Sequence, residues 1–385
     1  MKKQMNNPTQ ILHANKKLPS RRWLSLLLWS LFIYSLFSSH CSCITDIPSE
    51  DNQSNESTSV QVQSESEQPA PQAVFREDIL DPGLFTFERV VDGDTIHIKE
   101  TNDALRLLCV DAEEIFKSND ISQKELADKD WKEYLKVKNK RKSLVPTKYP
   151  TPVGEKASKF AKSFFDSVDK VRIEFDSLDR VIDIYHRPLV YVFAQKNGTW
   201  TNYNVELVRN GLSPYYMKYG WSIRYNDDFL KAEDEARKNK TGIWDPKEKH
   251  YPDYPVRISW WKDRADAIKV FKDKYGSDKS FFFIQNDTDW QRLTGKVGKK
   301  ITVFGTIDRI KSRTKPYKAY MMYKEGQSII LYTDDDRLLD LMKTQYVNEQ
   351  YVTFTGNLEL TDGDFMMKFH DPIQIHSTLL DLKKK

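Results

Sequence analysis

The chain has 385 residues, too many for one compact domain, so two domains with tails is the expectation. Its formal charge of +4 is no sign of a strongly basic protein. Residues 1–40 hold Lys2, Lys3, Lys16, Lys17, Arg21 and Arg22 with no acid, and residues 41–80 are acidic. Residues 81–385 keep a modest basic excess that is compatible with a polyanionic partner and weak evidence for one.

Residues 1–43 read as a signal or anchor segment. Lys16-Lys17 and Arg21-Arg22 precede an uncharged, mostly apolar run from Trp23 to His40, the charged-then-apolar order of an export signal. The apolar heart, Trp23–Phe37, is short for a membrane span. Cys41 and Cys43 are candidate lipidation sites, although neither sits in a good lipoprotein box. The expectation is an extracytoplasmic protein, secreted or held at a membrane or cell wall through its N-terminus. Residues 44–80, dominated by Ser, Gln, Glu, Asn and Pro, read as a disordered linker.

The next stretch, Arg89-Val-Val-Asp92-Gly93-Asp94-Thr95-Ile96-His97-Ile98, reads as strand, tight turn, strand. Gly93 is expected there for a backbone conformation that other residues avoid. Leu105–Val110 is a second apolar strand that ends in acid, Asp111-Ala112-Glu113-Glu114. Carboxylates converging from two such ends, with no neighbouring Cys or paired His, suit Ca²⁺ or Mg²⁺ better than zinc. Arg106, inside the apolar run, needs an anionic partner. Cys109, in the same run, reads as a small core residue.

Three ordered pieces resemble the staphylococcal nuclease (thermonuclease) family. They are Asp92-Gly-Asp94-Thr95, then Arg106-Leu-Leu-Cys-Val-Asp111-Ala112-Glu-Glu114, then Asp183-Ile-Tyr185-His-Arg187. The resemblance covers about residues 84–246. It implies an oligonucleotide/oligosaccharide-binding (OB) barrel with three helices, Ca²⁺ as cofactor, and DNA and/or RNA as substrate; spacing alone equally permits Mg²⁺. It further implies metal binding by Asp94 and Asp111, with the backbone carbonyl of Ala112 beside them. Arg106 and Arg187 become phosphate ligands, Glu114 the residue that activates water, and Tyr185 a flank of the substrate phosphate. Ala112 stands where the family has Thr and Glu113 where it has Pro, so two glutamates are adjacent; spacing favours Glu114 as the base, with Glu113 its rival. His97 and His186 read as surface or satisfied polar residues.

Between Glu114 and Glu155 the chain is about two dozen residues longer than the family. This insertion includes Lys136-Val-Lys-Asn-Lys-Arg-Lys142, either a solvated, partly helical loop or an electrostatic guide for a nucleic-acid backbone. Ala157, Phe160, Ala161, Phe164, Phe165 and Val168 recur at helical spacing, predicting a helix over 154–168. Strands are expected at 171–175 and 188–193, with a turn at Asn197-Gly198 and helices at 204–210 and 227–239. The fold class expected is α+β, mainly β. A domain over 81–246 is followed by a polar linker, 246–255, and a smaller OB-like β domain over 256–385.

In that second domain no motif carries chemistry. Lys311, Arg313, Lys315 and Lys318 interleave with Tyr317 and Tyr320, which suits either a single-strand-binding surface or an ordinary solvated hairpin. Nothing in the sequence points to an oligomer. The alternative to a hydrolase is a non-catalytic nucleic-acid-binding or cell-surface protein built on the same barrels; the intact set of two aspartates, one glutamate and two arginines separates the two.

Overall fold

A computed structural model describes residues 75–139 and 146–377. The expected signal segment, most of the expected linker 44–80 and the basic residues 140–142 lie outside them. Gln68–Lys385 form one compact unit.

The first sheet is built from β1 (Gly83–Val90), β2 (Thr95–Ile98) and β3 (Leu105–Leu107). After α1 (Ile121–Lys129), α2 (Trp131–Lys138) and α3 (Pro152–Phe164), it continues with β4 (Lys170–Glu174), β5 (Leu189–Lys196) and β6 (Thr199–Asn202). Strand order is β3-β2-β1-β4-β5-β6, and β3 also pairs in parallel with β5, so five strands close on themselves. Strand β1 serves two partners: Gly83–Thr86 face β4 and Phe87–Val90 face β2, with a register shift between Phe87 and Arg89 taking up the bend. Closure buries Ile96, Ile98, Leu105, Val171, Ile173 and Val192 completely.

Helix α3 starts where Thr151 caps Gly154 N–H and Pro152 takes the first turn, and it lays Val153, Ala157 and Ala161 on the sheet. Helices α4 (Tyr203–Arg209) and α5 (Asn226–Asn239) follow, with Gly211 in the left-handed region after the first. In place of three helices, five surround this sheet, because the insertion folds into α1 and α2. Tyr134 of α2 is 1% exposed and donates its hydroxyl to the Pro150 carbonyl, so the described part of the insertion is packed.

The segment expected as a linker is also packed. Tyr251 and Tyr254 are buried in the first core, and α6 (Tyr254–Tyr275) begins there. Over about 33 Å at 1.5 Å per residue, α6 gives Tyr254, Trp261 and Ala265 to the first core and Ala267, Ile268 and Phe271 to a cluster with Phe283, Phe304 and Tyr351.

The remainder is β7 (Phe281–Phe283), α7 (Asp287–Arg292), β8 (Lys300–Gly305), β9 (Arg309–Lys311), β10 (Tyr317–Lys324), β11 (Gln327–Thr333), α8 (Asp336–Asn348), β12 (Val352–Thr361), β13 (Asp364–Lys368) and β14 (Ile375–Ser377). The strand order is β7-β8-β12-β13-β11-β10-β9, with β14 beside β12. Where the sequence suggests a smaller OB-like β domain, a barrel of five strands, the structure has an eight-stranded sheet with β7–β8 and β11–β13 parallel. The whole is a sheet-rich α/β protein with eight α-helices among the described residues.

Candidate active site

The ends of β2 and β3 bring the carboxylates together through backbone bonding. Leu107 N–H donates to the Asp94 carbonyl (3.0 Å), and Asp94 Oδ2 accepts from Ala112 N–H (2.8 Å). The turn closes tightly: a Cβ on Gly93 would lie 2.8 Å from the Cβ atoms of both Ala112 and Ala157. Gly93 is therefore required by close packing; it is absent from the residues with positive φ, so the conformational reason expected for it does not apply. The same crowding leaves room at 112 for a side chain as small as alanine.

Arg106 finds the anionic partners its setting demands. Its guanidinium pairs with Asp94 and, at 2.7 Å, with Asp111. Burial works against the charged arginine, but the two carboxylates outweigh it and raise its pKa. Lys148, at the end of the insertion, places its ammonium 2.6 Å from Asp111 Oδ1. For Asp111, burial favours the neutral acid, yet Lys148 and Arg106 hold the carboxyl below its ordinary range. Asp92 goes the other way: burial and the neighbouring charge of Asp94 push it up to about 6. Three carboxylates thus share two protein cations.

The two adjacent glutamates part company. Glu113 is 2% exposed and points inward, where Oε1 accepts from Tyr251 N–H (2.7 Å) and the Tyr254 hydroxyl (2.9 Å), and Oε2 accepts from the Thr151 hydroxyl. Burial pushes it up to about 7 in spite of those donors. Glu114 is half-buried and lines the cleft, and its carboxylate makes no hydrogen bond or ion pair among the described residues. Its backbone is fixed: Thr151 N–H donates to the Glu114 carbonyl (3.0 Å), and a Cβ on Gly154 would run into that carbonyl and the one before it. The start of α3 is the seat of this loop.

Arg187 and Tyr185 come from the loop between β4 and β5. The Asp183 carboxylate accepts from the backbone N–H of Tyr185 and Arg187 and from Arg187 Nε (2.8 Å), and lies 2.6 Å from Arg187 Nη2. The Arg187 guanidinium lies 5.5 Å from the ring centre of Tyr185, which is 64% exposed. Asp94, Arg106, Asp111 and Ala112 are linked through the Arg106 ion pairs and the Ala112–Asp94 hydrogen bond, whereas Glu114, Tyr185 and Arg187 join them as lining of one cleft of about 670 Å³. Cys109, also on that lining, is 8% exposed and its thiol is pushed up to about 12 by burial, far from a nucleophile's range.

Sequence reasoning missed Lys148 and the inward anchoring of Glu113. For Lys148 no signal existed, because its position follows from the path of the insertion. For Glu113 the signal was the Tyr251/Tyr254 pair. The donors around Asp94 and Asp111 are hard oxygens, and the excess of carboxylate over cation suits a divalent ion of that class. Among the described residues, no group of three or more His, Cys, Asp or Glu stands ready as a metal cage, so water or phosphate oxygens would complete the shell.

A closed five-stranded sheet with these residues at the ends of β2 and β3 defines a family. Residues 104–246 match the staphylococcal nuclease homologue family, and the chain belongs to it. An uncharacterized protein of Methanocaldococcus jannaschii is 32% identical over 158 residues, 40% of this chain and 69% of the relative. Endonuclease YhcR of Bacillus subtilis is 29% identical over 235 residues, 59% of this chain but 16% of that protein. The SPbeta prophage-derived endonuclease YokF of the same organism is 31% identical over 161 residues, 41% of this chain and 43% of the relative. The chain thus spans well under two thirds of the two Bacillus proteins.

Proposed function

We propose that this protein is a metal-dependent nuclease that hydrolyses phosphodiester bonds of DNA and/or RNA. The observation that carries the reading is the buried Asp94–Arg106–Asp111 cluster in a cleft also lined by Glu114, whose carboxylate has no partner among the described residues. The relatives named as endonucleases point the same way. In this reading the closed sheet is an OB barrel that offers its open end to a strand of nucleic acid.

Hydrolysis has to neutralise charge accumulating on phosphate and to activate a water. Arg106 and Arg187 supply forked donors that match phosphate oxygens, and each is already held in place by carboxylates. Glu114 takes or orients the proton of the attacking water. Glu113 is spent on Tyr251, Tyr254 and Thr151 and serves to fix the loop. Asp94, Asp111 and the Ala112 carbonyl would hold Ca²⁺, or Mg²⁺, which when bound polarises a phosphate oxygen. Tyr185 flanks the phosphate beside Arg187. The charged-then-apolar residues 16–40 support a site of action outside the cytoplasm, secreted or anchored through the N-terminus.

The test is an assay of the purified full chain on single- and double-stranded DNA and on RNA with Ca²⁺, Mg²⁺ or excess chelator. Hydrolysis that needs the cation is the expected result. Undiminished hydrolysis in chelator would sink the metal assignment, and binding without turnover under every condition would make the protein a binding module.

A further inference from the structure

The cleft has a second wall. Besides the catalytic candidates it is lined by Lys269 and Lys272 of α6, by Asp287 and by Lys324 of β10, so the region beyond residue 246 contributes to the same cleft as Glu114. Two backbone hydrogen bonds tie that wall to the loop that carries Arg187. Asp287 N–H donates to the Asp179 carbonyl (2.7 Å) and Glu325 N–H to the Ile184 carbonyl (3.1 Å). Loop and wall are held as one piece.

Among the described residues, eight cationic side chains line this cleft, and six are neutralised. Arg106, Lys148 and Arg187 have the carboxylates described above; Lys218 pairs with Glu349, Lys269 with Asp273 and Lys324 with Asp287. Arg180, on the β4–β5 loop, and Lys272, on the C-terminal half of α6, have no carboxylate within 4.0 Å among the described residues. The Arg180 guanidinium instead lies over the Tyr219 ring, 4.5 Å from its centre, and Lys272 Nζ is 5.9 Å from the Phe283 ring centre. A guanidinium laid on an aromatic face keeps its edge donors for a planar or tetrahedral anion. In a cleft where every other cation has its counter-ion, two without one mark the place for an anion from outside.

We propose that Arg180 and Lys272 form a second phosphate subsite. It binds a backbone phosphate of the same single strand outside the scissile bond, with the strand passing between the first sheet and α6. The region after 246 thereby meets nucleic acid through the cleft wall and not through its 309–320 hairpin. There Tyr320 is 6% exposed beneath Arg309, and the Tyr317 hydroxyl is bonded to Asp336 (2.6 Å). The inference rests on the nuclease reading for the orientation of the strand.

The experiment compares the full chain with Arg180→Gln, Lys272→Gln and the double variant on a short single-stranded oligonucleotide and on bis(p-nitrophenyl) phosphate. The double variant is expected to raise KM for the oligonucleotide about tenfold while kcat falls less than threefold. Its preference for oligonucleotide over the small diester, as a ratio of kcat/KM, should fall by about the same factor. The slope of log kcat/KM against log salt should become shallower by about 1.4, two contacts at about 0.7 each for single strands. Arg180→Lys should recover part of the slope, and Lys343→Gln, which removes a charge from α8, sets the background. An unchanged salt slope, or equal losses on both substrates, overturns the subsite. Anisotropy of a labelled oligonucleotide bound in chelator reads the same contacts without turnover. If the wild-type chain hydrolyses nothing, the nuclease reading falls, and an unchanged Kd in the double variant would still overturn the subsite independently.

Discussion

The loop at 111–114 and the hairpin at 309–320 are both dense in charge, yet the fold treats them oppositely. In the hairpin the contacts are local and lie at the surface: Arg309 covers Tyr320 at 4.0 Å, and Lys315 and Tyr317 share Asp336. In the loop, charge is pooled. Asp94 and Asp111 compete for Arg106, Asp92 is pushed up to about 6, and Glu114 is left facing the cleft. The difference teaches that composition does not distinguish a working surface from a solvated one; charge held against its own electrostatic preference does.

The sharpest way to break that contrast is to compare the two glutamates. Glu114→Gln is expected to lower kcat by a hundredfold or more, about the scale of a lost general base, with little change in Tm. Glu113→Gln should cost mainly stability, about 1–3 kcal/mol for disturbing a buried, triply bonded carboxyl, read as a fall in Tm. The reverse pattern would mean that the loop presents the other glutamate.

Arg106→Gln tests the pooled charge itself. Removing one member of a buried charge cluster leaves Asp94 without its cation and Asp111 with Lys148 alone, and should destabilise the fold by about 3–5 kcal/mol. Added Ca²⁺ should then raise Tm by more in the variant than in the parent, since a bound cation would take over part of the lost pairing. No extra Ca²⁺ response would argue that Asp94 and Asp111 are a structural pair and not ion ligands.

The smallest effect is expected on the other side of the comparison. Arg309→Gln with Lys311→Gln should change KM for a single-stranded oligonucleotide less than about twofold beyond the background for lost charge, because these side chains are exposed and lie outside the lining of the cleft. A severalfold rise in KM would make the hairpin a working surface after all.

How much of this was legible in the sequence varied with the kind of force involved. The strands around Ile96, Val171 and Val192 and the helix carrying Ala157 and Ala161 announce themselves by period, because burial on one face imposes it. The catalytic candidates were legible as an ordered motif, and Arg106 also as a charge in need of a partner. Gly93 was recognised for the wrong reason, since a close approach of Ala112 and Ala157 leaves no local mark. Residues 246–255 read as a linker because they are polar and rich in Pro and Lys, while Tyr251 and Tyr254 are bonded to a glutamate more than a hundred residues earlier. The eight-stranded second sheet was underestimated for a similar reason. Its additional members, β7, β9 and β14, are three residues each and are held by pairing with neighbouring strands.

That α6 begins inside the first core moves the natural edge of the enzyme-like half. The family match stops at residue 246, but Tyr251, Tyr254, Trp261 and Ala265 belong to the same packed interior as β2 and β3. A chain cut at the family limit would expose that interior and leave Glu113 without two of its three donors, directly behind the residue assigned to activate water. The inherited module and the folding module therefore have different borders. In this protein the second extends one long helix further, and that helix already belongs to its neighbour.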